Sequence, residues 1–171
     1  MGLLRLLPAA CLLLAPGCTY TFNESSLPGH IHTVAVPVVE NETIEPAIAQ
    51  EVTDALSNEF LRDGSLQVVP EGVADAAVYG TITRYVNRVF GFNADEQTEE
   101  YEVVVVMAIE LKDLVRRKTV WKNEGMVGRT TYFVVETKGQ PAQDELSGRQ
   151  DAIQRLAEDV LARTVRSGGW N

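Results

Sequence analysis

The chain has 171 residues and a formal charge of −9, from 15 Lys and Arg against 24 Asp and Glu. That balance excludes a general nucleic-acid surface, where Lys and Arg on phosphate dominate affinity. Two Cys and two His leave no material for a disulfide framework and little for a metal centre.

The N-terminus carries one charge, Arg5, and then an apolar run from Leu6 to Ala15, too short to span a bilayer as a permanent helix. Leu13-Leu14-Ala15-Pro16-Gly17-Cys18 resembles the lipobox of bacterial lipoproteins. Pro16 and Gly17 keep the backbone slim ahead of a thiol that would take a diacylglycerol thioether. The expected division is a signal peptide over 1–17, a lipidated tether over 18–32 and one domain over 33–171. An ordinary secretory signal and a buried N-terminal helix are the alternatives. Each acyl methylene contributes about 0.8 kcal/mol, so two or more chains on Cys18 hold a protein at a membrane stably. Residue 19 is Thr; in lipoproteins of the enterobacterial type Asp there retains the protein at the inner membrane, so this resemblance points to the outer membrane. Cys11 leaves with the signal and Cys18 is acylated, so the domain is expected to fold without a disulfide and to carry no cofactor beyond that covalent lipid.

The tether, with Asn23, Ser25, Ser26, Pro28 and Gly29, is rich in turn formers. His30 and His32 share one face of an extended segment, but a metal would need a third ligand, so they read as solvated residues entering a strand. Thr33 to Val39 is a β-branched run, with Pro37 arguing for an edge or a strand end. Pro46 suits a first helical turn, and Ile48, Val52, Leu56 and Phe60 follow at i+4 steps. The spacing predicts a helix over about 46–62, ended by Asp63-Gly64. Leu66 to Pro70 is a short strand.

Ala77 to Phe90 alternates, with Val78, Ile82, Val86 and Phe90 predicted on one face beside Arg84 and Arg88, and Tyr79, Thr81, Thr83 and Tyr85 on the other. Thr98 to Lys112 places Tyr101, Val103, Val105, Met107, Ile109 and Leu111 on a core face. Its other face carries Val104 and Val106 between charged ends. Asp113 to Lys118 is a basic turn, and Thr119 to Val135 returns as one or two strands. Ile153, Leu156, Ala157, Val160, Leu161 and Thr164 then form one stripe of an amphipathic helix, capped by Ser147 with Gln150 or beginning nearer Asp144. The predicted class is α+β: a two-layer sandwich in which two helices pack on one face of a mixed, mostly antiparallel sheet.

Catalytic chemistry is not legible. The turn after the first strand, Glu40-Asn41-Glu42-Thr43, is acidic and lacks glycine, so it is no phosphate loop. No Ser sits in a nucleophile elbow and neither His is placed to act as its base. The chain reads as a binding protein, not an enzyme. Arg116, Arg117 and Lys118 in the basic turn, with Arg84, Arg88, Lys122 and Arg129 on nearby strands, are the candidates for gathering positive charge, since guanidinium forks suit phosphate. A solvated turn and exposed strand faces is the plainer alternative.

The lipobox cysteine, Leu27-Pro28, His30-Ile31 leading into Thr33-Val34-Ala35-Val36-Pro37, Glu40-Asn41, Glu45-Pro46, Phe60-Leu61-Arg62-Asp63-Gly64, Gly80-Thr81-Ile82 and Gly169-Trp170 together resemble the lipopolysaccharide-assembly lipoprotein family LptE. The resemblance implies an outer-membrane, periplasm-facing lipoprotein that plugs a large β-barrel, the lipopolysaccharide translocon. It would assist assembly of that barrel and help deliver lipopolysaccharide to the outer leaflet. It also implies a lipid A phosphate contact, assigned first to Arg116, Arg117 and Lys118 and next to Arg84 and Arg88. The strand–turn–helix start is similar as well to lipoproteins that activate cell-wall synthases or assemble into secretion pores. A pore subunit would need long hairpins of alternating polarity, and Thr98–Lys112 alternates only in part.

Overall fold

The structure, a computed structural model, describes residues 27–93, 96–136, 139 and 141–166. The first strand is broken in two. β1 is Thr33–Ala35 and β2 is Glu40–Asn41, and both lie parallel against the same neighbour, β4 (Ala76–Phe92). Pro37 lies between them and has no N–H to give that neighbour. The chain turns inward instead, and the Val39 amide donates to Thr53 Oγ1 at 3.0 Å on the first helix. The single strand expected over 33–39 is thus two short pieces with a core-facing kink.

Helix α1 is Ile48–Asp63, and Ile48, Val52, Leu56 and Phe60 are buried as their spacing predicts. It ends where Gly64 takes φ 71° and its N–H donates to the Phe60 carbonyl at 3.1 Å, the left-handed cap that glycine adopts without a Cβ penalty. Strand β3 (Gln67–Val68) pairs with β1, and a turn of 3₁₀ helix at Glu71–Val73 leads into β4.

Three long strands make the rest of the sheet. β4, β5 (Thr98–Asp113) and β6 (Lys118–Phe133) run antiparallel in sequence. The full order is β3-β1-β4-β5-β6, an open sheet with β2 also on β4. At about 3.3 Å per residue these strands span about 50 Å. Helix α2 (Glu145–Leu161) lies across β5 and β6 and packs against α1, so both helices cover one face. Asp144 caps α2, its carboxylate accepting the Ser147 N–H at 2.9 Å; of the two starts read from the sequence, the earlier one is used. The whole predicted stripe from Ile153 to Thr164 is buried, each large aliphatic side chain contributing about 1.5–3 kcal/mol.

One face assignment is overturned. Ile82 opposes Met107 and Arg84 opposes Val106, leaving Thr83 unpaired as a β-bulge. One extra residue reverses the alternation beyond it. Tyr85 and Asn87 therefore turn toward the helices, opposite Val105 and Val103. Arg84, Val86 and Arg88, opposite Val106, Val104 and Glu102, turn to the back of the sheet, away from Val78 and Ile82.

Candidate functional site

The cations singled out from the sequence fall into two groups that the fold keeps apart. The first is the turn from β5 to β6. At its base Asp113, almost wholly buried, accepts the Arg116 N–H on Oδ1 at 2.8 Å. Its Oδ2 meets His30 Nε2 at 2.7 Å. Burial pushes the Asp113 carboxyl up, but the bonds from the Arg116 amide and His30 outweigh it and hold the group below the usual carboxylate value. Arg117 sits at φ 55°, completing the reversal. Arg116, Arg117 and Lys118 are exposed, and none is in an ion pair among the described residues.

His30 is therefore not the solvated residue expected: it ties the start of the domain to the base of the basic turn. A second carboxylate tightens the same place. Asp75 Oδ2 accepts the N–H groups of His32 and Thr33, each at 3.0 Å, and the Thr33 hydroxyl at 2.9 Å. Its pKa is lowered, first by the His32 N–H and then by Thr33. The Asp75 carbonyl accepts the Leu114 N–H at 2.8 Å. Nothing in the sequence signals these bonds, which join residues 42 and 83 positions apart.

The second group lies on the back of the sheet. Arg88 donates to Glu102 Oε2 from Nε at 2.8 Å and Nη2 at 2.5 Å, and Arg129 Nε lies 3.4 Å from Glu102 Oε1. The Glu102 side chain is only 3% exposed, so two guanidinium heads are committed to one buried charge. Arg84 is exposed with no ion pair among the described residues. Between these cations lie Val86, Val104, Val106 and Val127, and no described element packs over them. Glu102 and Asp113 are eleven residues apart on β5, about 36 Å along a strand, so Arg88 and the basic turn form no common site.

A cleft of 310 Å³ opens on the same back face nearer the turn, lined in part by Glu40, Tyr79, Thr81, Glu110, Lys122 and Glu124. Lys122 is engaged to Glu124 at 3.0 Å. The Tyr79 hydroxyl donates to Glu71, and that bond, with burial, pushes its pKa up to about 12. These are closed local pairs, with no base poised beside a nucleophile. Among the described residues no group of three His, Cys, Asp or Glu is arranged to hold a metal, and no helix is long and apolar enough to cross a membrane. Cys18, the residues 18–26 of the tether and Gly169-Trp170 lie outside the described residues.

The family model for LptE, lipopolysaccharide assembly, matches residues 31–167, from the end of the tether through α2. The chain belongs to the LptE family. It is thereby a lipoprotein of lipopolysaccharide assembly, from a family of non-catalytic accessory lipoproteins of the Gram-negative outer membrane. No curated protein sequence matches the chain. Among solved structures it is similar to a PelC dodecamer subunit from Paraburkholderia phytofirmans, at 17% identity and TM-score 0.53, covering 83% of this chain and 93% of that one. Hypothetical protein CT253 from Chlamydia trachomatis is 11% identical with a TM-score of 0.52, covering 78% and 95%. Protein XCC0632 from Xanthomonas campestris is 10% identical with a TM-score of 0.51, covering 81% and 88%. At such identities the likeness shows the fold alone.

Proposed function

We propose that this LptE-family protein plugs the β-barrel lipopolysaccharide translocon of the outer membrane, assists its assembly and helps deliver lipopolysaccharide to the outer leaflet, anchored by acyl chains on Cys18. The observation that carries the reading is the family match across 31–167, which takes in both layers of the domain. Two features of the fold support it. An elongated two-layer body suits a barrel lumen, and the sheet's back face presents Val127 and part of Val86 over the buried Val104 and Val106.

Lipid A phosphates are assigned to the cations with charge to spare, Arg116, Arg117 and Lys118 first and Arg84 next. Arg88 contributes least, because Glu102 already holds it. Neutralising the three turn residues to Gln is expected to weaken lipopolysaccharide binding several-fold, with Arg88→Gln changing it little. Unchanged binding in the triple variant, measured by titration with purified lipopolysaccharide, removes the turn from the site.

The deciding experiment for the function is a pull-down of the tagged, acylated protein from detergent-solubilised outer membranes, with partners identified by mass spectrometry. A stoichiometric large β-barrel is expected. A cell-wall synthase or a secretion-pore component in its place overturns the translocon reading.

A further inference from the structure

We infer that the turn Leu114–Lys118 is a membrane foot: between transport events Val115, Arg116, Arg117 and Lys118 rest on the phospholipid headgroups of the leaflet that holds the Cys18 anchor. The inference rests on the lipid-anchored reading above and adds an orientation to it.

Three observations converge. The first is where the described chain begins. His30 is bonded to Asp113 at the base of the turn, and Asp75 holds His32 and Thr33 on one side while taking the Leu114 N–H on the other. The root of the tether and the turn are thus fixed at one end of the molecule. The second is reach. Leu27 lies nine residue steps beyond Cys18, at most about 32 Å of extended chain. The opposite end of the sheet lies about 50 Å away along β5, farther than the tether extends, so the domain cannot stand upright on that end while Cys18 is in the membrane, whereas the basic end reaches the headgroups directly.

The third is complementarity. On a chain of charge −9, three consecutive exposed cations without an ion pair among the described residues are presented together with Val115, itself 62% exposed. Val115 directly precedes the three cations, so one turn presents a small apolar side chain beside a basic cluster, and such clusters are attracted to an anionic headgroup layer. Each cation near an anionic membrane surface contributes about a fivefold preference, so three give about a hundredfold. That is too weak to hold a soluble protein stably but ample to orient one already anchored.

The test uses the full acylated protein in phospholipid vesicles rich in phosphatidylglycerol and free of lipopolysaccharide. Cys18 is acylated in the mature chain, so Val115→Cys or Phe92→Cys supplies its only thiol. Each is labelled with an environment-sensitive fluorophore and exposed to a quencher carried at shallow depth on the lipid. The label at 115 is expected to be quenched several-fold more than that at 92, at the far hairpin. The difference should collapse in phosphatidylcholine vesicles, in high salt and in the Arg116→Gln/Arg117→Gln/Lys118→Gln background. Equal quenching at the two sites, or stronger quenching at 92, overturns the foot. Quenching at 115 that appears only after lipopolysaccharide is added also overturns it and leaves the turn to lipid A alone. A protein that fails to float with the vesicles overturns the anchor and the foot together, whereas recovery of the barrel in the pull-down reports on the translocon reading separately.

Discussion

At the residue scale, the packing of α2 on the sheet depends on two positions where a side chain has no room. A Cβ at Gly128 would lie 2.2 Å from the Ala152 carbonyl oxygen and 2.8 Å from Leu156 Cβ, and one at Gly148 would lie 2.4 Å from the Tyr132 ring. Interiors packed this closely transmit such overlaps as strain. Gly128→Ala is therefore expected to lower the unfolding free energy by about 3 kcal/mol, measured by urea denaturation. Gly125→Ala, three residues earlier with nothing within 4 Å of its Cβ, is expected to be close to neutral. The sequence offered no hint of this difference, since both glycines sit in a polar-looking stretch of β6. The Thr83 bulge was hidden in the same way. Val86 is as plausible a core residue as Tyr85, so nothing in the pattern says that the phase has slipped, yet that slip decides which face Arg84 and Arg88 occupy. Residue pairings set by remote neighbours, such as His30 with Asp113, leave no trace in local spacing.

Elements were more legible, because helices and strands announce themselves by period and by their ends. α1 lies within two residues of its predicted bounds and α2 starts at the Asp144 signal, although it ends at Leu161, and Thr164, the last residue of its stripe, falls in a π-helical segment; the mixed sheet with two helices on one face follows from their order. The caps give a direct check. Gly64 has φ 71° and an empty Cβ position, so Gly64→Ala costs about 1 kcal/mol through backbone strain alone. Asp144→Ala removes the bond to the Ser147 N–H and costs about 1 kcal/mol. The two sites sit on different helices, and their effects on thermal stability should add. The junction of tether root, β4 and basic turn carries its own signature in pH. Asp75 and Asp113 both have folded pKa values below the ordinary 3.8. A carboxylate of that kind stabilises the fold fully above its unfolded pKa and loses its contribution as pH falls through the folded value. Urea resistance should accordingly decline as pH drops below about 4, and Asp113→Asn, which keeps an acceptor for the Arg116 N–H, should flatten part of that decline. An unchanged acid profile in Asp113→Asn would remove this carboxylate from the cause.

On the scale of the whole molecule, the domain has one face closed by helices and one left open, and its run of three exposed consecutive cations lies at the end where the tether departs. The open face is not polar at its centre. Val104 and Val106 are each 7% exposed, while Val127, paired opposite Val106, is 40% exposed. Val127 is partly exposed and lies opposite Val106 in the ladder, so a substitution there should move stability by no more than about 1 kcal/mol. Inside a barrel the same position would meet the lumen wall, where an unpaired carboxylate pressed against a partner is costly to desolvate. Val127→Asp is therefore expected to shift the melting temperature of the purified domain only slightly and to reduce recovery of the barrel in the pull-down several-fold. Gln50→Asp, at an exposed position on α1, introduces the same carboxylate on the helical face and compares the two faces of the domain. If Val127→Asp and the wild-type chain recover equal amounts of barrel, the back of the sheet does not face the partner, and the helices must supply the contact.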